Sequence, residues 1–234
     1  MILICLGYWD GDRDLAFELT DQIGKLLPDK SDLVALMYVV RHDAQPPPEA
    51  ILNRDRQKFH HVYAEKTFYK ATGWPAGCNA IAYSVLNRIL PKAHRDVEAA
   101  LILESDCVIT RQEWDKELWA EWQKARSMGK DVCGTVLPWG WKGCGNHVNA
   151  SAIWGRKAAA KIPGIHVGKP MGKIAWDYYY GRVTTPLCYN SKLFKLDYKR
   201  ATIGYEELCE QECLILHGIK DSSARDGIRR KFNL

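Results

Sequence analysis

The run Ala99-Ala100-Leu101-Ile102-Leu103 leads straight into Glu104-Ser105-Asp106, and no other stretch narrows the choice of fold as much. A short, unbroken apolar segment fits a strand buried on both faces, the kind found in a parallel sheet covered by helices. Two carboxylates at its end, spaced i and i+2, fall on the same side of an extended chain. Like charges held this close repel unless a proton or a cation sits between them, so the pattern favours a divalent metal with oxygen ligands. A strand running into an exposed turn or a helix cap has the same letters. A second apolar run, Glu212 to Leu216, also ends in polar groups, His217-Gly218-Ile219-Lys220-Asp221, and two strand ends far apart in sequence can meet in space.

Around these two ends the chain alternates between strand and helix patterns. Ile2 to Leu6 reads as a strand, Leu15 to Leu27 as a helix, Leu33 to Val40 as a strand, Glu49 to Lys58 as a polar helix and His60 to Ala64 as a third strand. Thr72-Gly73-Trp74-Pro75-Ala76-Gly77-Cys78-Asn79 opens a helix that runs to Leu90, and Val97 to Leu103 is the central strand. Glycines ahead of a helix allow close backbone approach, and the free N–H groups there accept phosphate; an ordinary loop and helix start has the same composition. Further on come a helix from Trp114 to Ala125, strands from Val132 to Leu137 and from Val148 to Trp154, and a helix from Gly155 to Ala160. The order predicts an α/β fold, a single doubly wound and mostly parallel sheet with flanking helices, spanning 1–234 as one domain.

Composition adds boundaries rather than a function. With 47% hydrophobic residues the chain can fill a sizeable core, and its formal charge of +5 suits an anionic substrate or nucleic acid but also many ordinary proteins. Part of the excess clusters at Arg225, Arg229, Arg230 and Lys231, either a phosphate-contacting segment or a solvated tail. Eight cysteines form no Cys-x-x-Cys pair, and Cys209, Cys213 and His217 make an incomplete zinc set. The apolar start Met1 to Leu6 is too short for a secretory signal and no stretch approaches a membrane span, so the expected setting is the cytoplasm of a bacterium or a phage-infected cell. The Gly/Trp loop Pro138 to His147 is either a flap over substrate or a packed surface turn.

The element order, with Glu104-Ser105-Asp106 at the central strand end, resembles the nucleotide-sugar-dependent glycosyltransferases of the GT-A fold, whose acidic Asp-x-Asp type motif sits there. Glu104 replaces the commoner Asp, and the resemblance favours Asp106 as the firmer metal contact. It implies Mn²⁺ or Mg²⁺ as cofactor, with His217 completing the metal site and Lys220 on the diphosphate, although the Pro-Trp that follows in several retaining families is absent here. It also implies a nucleotide-binding half at 1–110 and an acceptor half at 111–234, and makes a UDP-sugar the default donor. The Gly73–Asn79 segment matches one that contacts nucleotide or sugar, through Gly73, Gly77 and Asn79. Tyr8 and Asp10 after the first strand, and Arg41 and Asp43 after the second, lie where this fold holds the nucleoside; an aromatic can stack on a base and a carboxylate can accept its N–H.

Asp177, set in Ala175-Trp176-Asp177-Tyr178-Tyr179-Tyr180, is the candidate base for an acceptor hydroxyl, because burial among aromatic rings raises a carboxyl pKa; a helix cap inside a core is the alternative. The acceptor stays open between a hydroxymethylated pyrimidine in DNA, with Lys142 and Arg225 to Lys231 on phosphates, and a glycan precursor. Two other classes share parts of the pattern. A sugar-phosphate nucleotidyltransferase needs a phosphate cradle after the first strand, where Gly7 to Asp14 is too acidic, and a non-enzymatic nucleic-acid-binding protein would bind DNA without metal-dependent nucleotide binding.

Overall fold

The computed structural model describes residues 1–138, 145–162, 174–196, 213–219 and 222–233. Its core is a seven-stranded sheet in the order β10-β6-β9-β4-β1-β2-β3. The strands are β1 (Ile2–Tyr8), β2 (Val34–Val40), β3 (Val62–Lys66), β4 (Ala99–Glu104), β6 (Val132–Gly134), β9 (Ile153–Gly155) and β10 (Cys188–Asn190). All neighbouring pairs are parallel except β9, which runs antiparallel to both β4 and β6. The expected mostly parallel α/β sheet is therefore present, and it takes strands from both halves of the chain.

β1 and β2 are buried along their whole length because helices cover both faces. Ile2, Ile4, Leu6 and Tyr8 point to one face, packed with α1 (Arg13–Lys25), α2 (Glu49–Asp55) and α5 (Trp114–Ser127). Leu3 and Cys5 point to the other, under α3 (Ala76–Ser84), a π-helical turn at Val85–Ile89, α4 (Leu90–Lys92) and α6 (Arg156–Ala159). Each fully buried Leu or Ile of this kind stabilises the fold by about 1.5–3 kcal/mol. α1 turns Ala16, Leu19, Thr20 and Ile23 inward at helical spacing. Trp114, at the start of α5, satisfies its buried indole N–H on the Ile23 carbonyl at 2.9 Å, which ties α5 to α1.

Two expected strands each divide. Val132 to Leu137 becomes β6 and β7 (Val136–Leu137), and Val148 to Trp154 becomes β8 (His147–Val148) and β9. β7 and β8 pair with each other outside the main sheet. The break between β8 and β9 is a tight turn, in which the Asn149 Oδ1 accepts the Ser151 N–H at 3.1 Å and the Ala150 carbonyl accepts the Ala152 N–H at 2.9 Å. A local side-chain bond of this sort replaces ladder pairing, which period-two patterning cannot reveal.

The acidic end of β4 is held by a third, three-stranded sheet of β11 (Phe194–Leu196), β12 (Ile215–His217) and β5 (Val108–Ile109). β5 leaves the Glu104-Ser105-Asp106 turn directly and pairs antiparallel with β12, Ile109 opposite Ile215 and Val108 opposite Leu216. The pairing continues past the strands, with the Ile219 N–H on the Asp106 carbonyl at 2.9 Å. The remaining α-helices among the described residues are α7 (Trp176–Tyr179), α8 (Gly181–Thr184) and α9 (Ser222–Phe232).

Candidate active site

Strand order reverses direction at β1, with β2 on one side and β4 on the other, and such a reversal opens a crevice beyond the carboxyl ends of the strands. Glu104 lies there, the last residue of β4, opposite Gly7 of β1. Gly7 is needed because α3 crosses close above it: a Cβ would sit 2.6 Å from Ile81 Cγ2.

Glu104, Asp106 and His217 converge at this end, with one ligand atom from each lying within 4.8 Å of the others. His217 Nε2 is 3.3 Å from Glu104 Oε2 and 3.4 Å from Asp106 Oδ1. The two carboxylates do not meet by strand alternation, since β4 stops at Glu104 and Asp106 belongs to the following turn. Asp106 comes into place because β5 must turn back to pair with β12, the strand that carries His217.

The histidine's tautomer follows from its other side. His217 Nδ1 lies 3.1 Å from Asn149 Oδ1, and that oxygen already accepts the Ser151 N–H, so the ring nitrogen is the donor. In the neutral ring the Nε2 lone pair then faces the carboxylates, the arrangement by which a partner on the far ring nitrogen orients a metal-binding histidine. Burial opposes a charge on this ring, but Glu104, the Cys107 thiol and Asp106 more than offset it and hold the imidazole well above its ordinary value. A proton on Nε2 or a cation between the three groups satisfies the same atoms. The donor set, two carboxylates and an oriented imidazole, fits Mn²⁺ or Mg²⁺.

Asp177 stands at the first turn of α7, 7% exposed, with its Oδ1 accepting the Tyr178 N–H at 3.0 Å. Burial, and then the charge of Glu104, push its carboxyl up to about 7. Asn79 positions this turn from α3: its Oδ1 accepts the Trp176 N–H at 2.9 Å and its Nδ2 donates to the Ile174 carbonyl at 3.0 Å. Asn79 thus ties α3 to the backbone ahead of α7 through its side chain.

On the β1–β2 side, Arg41 grips Asp43 with two bonds of 2.6 and 2.9 Å and lies 4.9 Å over the Trp9 ring. The guanidinium holds the Asp43 carboxyl below the usual range. Gly77 is close by; a Cβ there would lie 3.3 Å from Arg41 Cδ. Gly73 takes a φ of +72° and accepts the Gly77 N–H at 2.6 Å, closing the turn into α3. Asp10 accepts the Gln45 N–H at 2.8 Å, and the Tyr8 hydroxyl donates to the Gln45 carbonyl at 2.8 Å, so the two residues brace the loop after β2.

The stacking expected of Tyr8 is corrected by its burial, 1% exposed and edge-on to Phe17 and Tyr38. Its place at the last position of β1 points it inward, and the next residue, Trp9, is the one that emerges, 45% exposed. Lys220 and Lys142 lie outside the described residues. Arg225 does not belong to a surface patch: it is 6% exposed and bonds the Ser105 and Ile219 carbonyls.

Further residues escaped the sequence reading. Asp12 accepts the Ser105 hydroxyl at 2.8 Å and the Trp9 N–H at 2.8 Å, bringing a third carboxylate against the acidic turn, and burial raises its pKa. The only signal for it was the acidity of Gly7 to Asp14. Asn149 falls within the expected strand Val148 to Trp154, and nothing in its sequence neighbours signals the bond to His217. A groove of about 700 Å³ lies elsewhere, between the α3–α4 segment and the β2–β3 edge, lined by Met37, Tyr63, Phe68, Arg88 and Ile89 among others. None of Glu104, Asp106, Asp177 and His217 lines it.

Comparison with known proteins agrees at the level of architecture. No protein-family model matches the chain, and no curated protein sequence does. Among solved structures, the galactosyltransferase LgtC in complex with donor and acceptor sugar analogues is similar at 13% identity and a TM-score of 0.58, over 99% of this chain and 94% of that one. Mouse xyloside xylosyltransferase 1 is similar at 11% identity and a TM-score of 0.57, over 93% and 96%. The bifunctional glycosyltransferase WbbM gives 0.64 at 11% identity, with this chain spanning 49% of its length. The seven-stranded sheet, the acidic turn at the end of its fourth strand and these neighbours together establish that the chain has the GT-A glycosyltransferase fold.

Proposed function

We propose that this chain transfers a sugar from a nucleotide diphosphate sugar, a UDP-sugar being the favoured donor, to a hydroxyl acceptor, with Mn²⁺ or Mg²⁺ held by Glu104, Asp106 and His217. The gathering of those three side chains within 4.8 Å at the strand-order reversal carries this reading. A divalent cation bound there supplies positive charge against the departing nucleotide diphosphate. Glu104 and Asp106 would offer hard oxygens to the ion, and His217 would offer Nε2 in its neutral form.

Asp177 takes the proton of the acceptor hydroxyl at its carboxylate. A carboxyl raised to about 7 is a stronger base than an ordinary aspartate and is still substantially ionised at neutral pH. Asn79 keeps it there by clamping the backbone ahead of α7. On the donor side, Arg41, Asp43 and the backbone of Gly73 and Gly77 bound the nucleoside, Asp10 braces their loop, and the exposed face of Trp9 serves for stacking in place of Tyr8. Lys220, three residues beyond His217, is assigned to the diphosphate by the family resemblance alone.

The acceptor we infer is a saccharide hydroxyl. It is supported by the sugar acceptor named for LgtC and the xyloside named for the mouse enzyme. A hydroxymethylated pyrimidine in DNA remains the second reading, favoured by the net charge of +5, although the buried Arg225 does not serve it. A screen of UDP-sugars with small glycans, hydroxymethylated DNA and plain DNA, with and without Mn²⁺, decides among them. Transfer to glycans alone sustains the first acceptor, and transfer to modified but not plain DNA sustains the second. Nucleotide exchange from NTP and sugar phosphate, with no glycosyl transfer, overturns both.

A further inference from the structure

Arg225 is a buried cation in a segment whose composition suggests a solvated tail. It projects from α9 into the space behind the acidic turn, and one of its terminal nitrogens, Nη2, donates both to the Ser105 carbonyl at 3.1 Å and to the Ile219 carbonyl at 3.2 Å. Its other terminal nitrogen, Nη1, lies 3.4 Å from Glu18 Oε2 on α1. Ser105 stands between Glu104 and Asp106, while Ile219 is two residues past His217. A single guanidinium therefore bridges the two backbone segments that carry the proposed metal ligands.

An arginine is suited to this because its donors diverge in a fixed plane and its charge does not titrate away. Burying it is costly unless the charge is paired and its N–H groups are satisfied. Glu18 supplies the counter-charge and the two carbonyls accept the hydrogen bonds. The direct bond from the Ile219 N–H to the Asp106 carbonyl runs between the same segments, and the Ser105 hydroxyl is fixed from the far side by Asp12.

We propose that Arg225 is a positioning residue, holding the Glu104-Ser105-Asp106 turn against the His217-Gly218-Ile219 segment so that the three side chains stay at ligating distance, and that α9 is thereby part of the active-site machinery. The inference rests on the metal-binding reading of those side chains. It makes the metal's affinity depend on a residue that touches neither metal nor donor.

The test uses the full chain with R225K, which keeps the charge and most of the volume, and R225Q, which removes the charge. Mn²⁺ is titrated against UDP binding by calorimetry, with folding monitored by circular dichroism. The Mn²⁺ midpoint is expected to rise about 10- to 100-fold in R225Q and less in R225K, the range found when support behind a metal ligand is removed. Lower thermal stability with an unchanged midpoint in the folded protein overturns the proposal, since a purely structural arginine gives that result. Hydrogen exchange in metal-free protein provides the second measurement. The Ile219 amide should exchange at least about tenfold faster in R225K than in the parent, while the amides of β1 and β2 keep their protection. Equal exchange at Ile219 overturns the clamp even if the parent binds UDP without metal, a result that would strike the metal reading instead.

Discussion

Asp43, just after β2, and Asp177, in the first turn of α7, have surroundings that push them in opposite directions. Asp43 follows β2 in solvent, and the fork of Arg41 keeps it ionised to lower pH than usual. Asp177 begins α7 in a buried position facing the charge of Glu104, and its proton is held up to about 7. The first environment makes a fixed anion held by the Arg41 fork. The second makes a group that gains and loses a proton near neutrality. The residue type is the same; solvation and nearest charge divide the work.

Substitutions should break this contrast unequally. The largest effect is expected at the proposed metal ligands. Asp106→Asn should lower metal-dependent transfer by roughly 100-fold or more and remove the gain in UDP binding that Mn²⁺ provides, as measured by calorimetry with and without EDTA. A mutant that binds UDP with the parent's metal dependence would remove Asp106 from the site. His217→Ala should behave alike, with a smaller loss.

Next comes Asp177→Asn, which should slow transfer by about 10²- to 10⁴-fold while leaving donor affinity within about twofold, since the lost function belongs to the transition state. A large loss of donor binding would move Asp177 to the nucleotide side. The same substitution tests its titration. Because its pKa in the folded chain lies above that of an unfolded aspartate, the native state holds more protons between about pH 4 and 7. The Asp177 contribution to stability therefore falls as pH rises through that window. Metal-free Asp177→Asn should equal the parent near pH 4 and exceed it at pH 8, by roughly 1–4 kcal/mol in urea unfolding. A constant difference across pH would show that the carboxyl titrates normally.

The donor side should respond more mildly. Trp9→Ala is expected to raise KM for the UDP-sugar by about tenfold with little change in kcat, through lost stacking. Tyr8→Phe should leave KM within about twofold, since its hydroxyl is spent on the Gln45 carbonyl. Asp43→Asn should change KM by less than about tenfold and stability hardly at all, the pair with Arg41 being exposed. An Asp43 effect as large as that of Asp177 would erase the distinction between the two residues.

Much of the frame was legible in the residues themselves. Unbroken apolar runs at Ile2 to Leu6, Leu33 to Val40 and Ala99 to Leu103 mark strands covered on both faces, and the helix between Ala76 and Leu90 follows its loop as expected. Such patterns are local: burial on both faces needs apolar letters in a row, and an amphipathic helix needs them at helical spacing. They also located the acidic turn and the His217 end as places where apolar runs stop at polar groups.

The tertiary structure alone decided which of those groups meet. Asp106 reaches Glu104 and His217 because β5 pairs with β12, and a pairing between segments so far apart leaves no trace in the composition of either. Asn149 faces His217 because a turn divides β8 from β9, Trp9 is exposed and Tyr8 is not because β1 ends with Tyr8 pointing inward, and Arg225 is buried because α9 packs behind the acidic turn. A residue's own letters state what charge and shape it can offer. Its solvation, its pKa and its partner depend on which distant surface the fold lays against it.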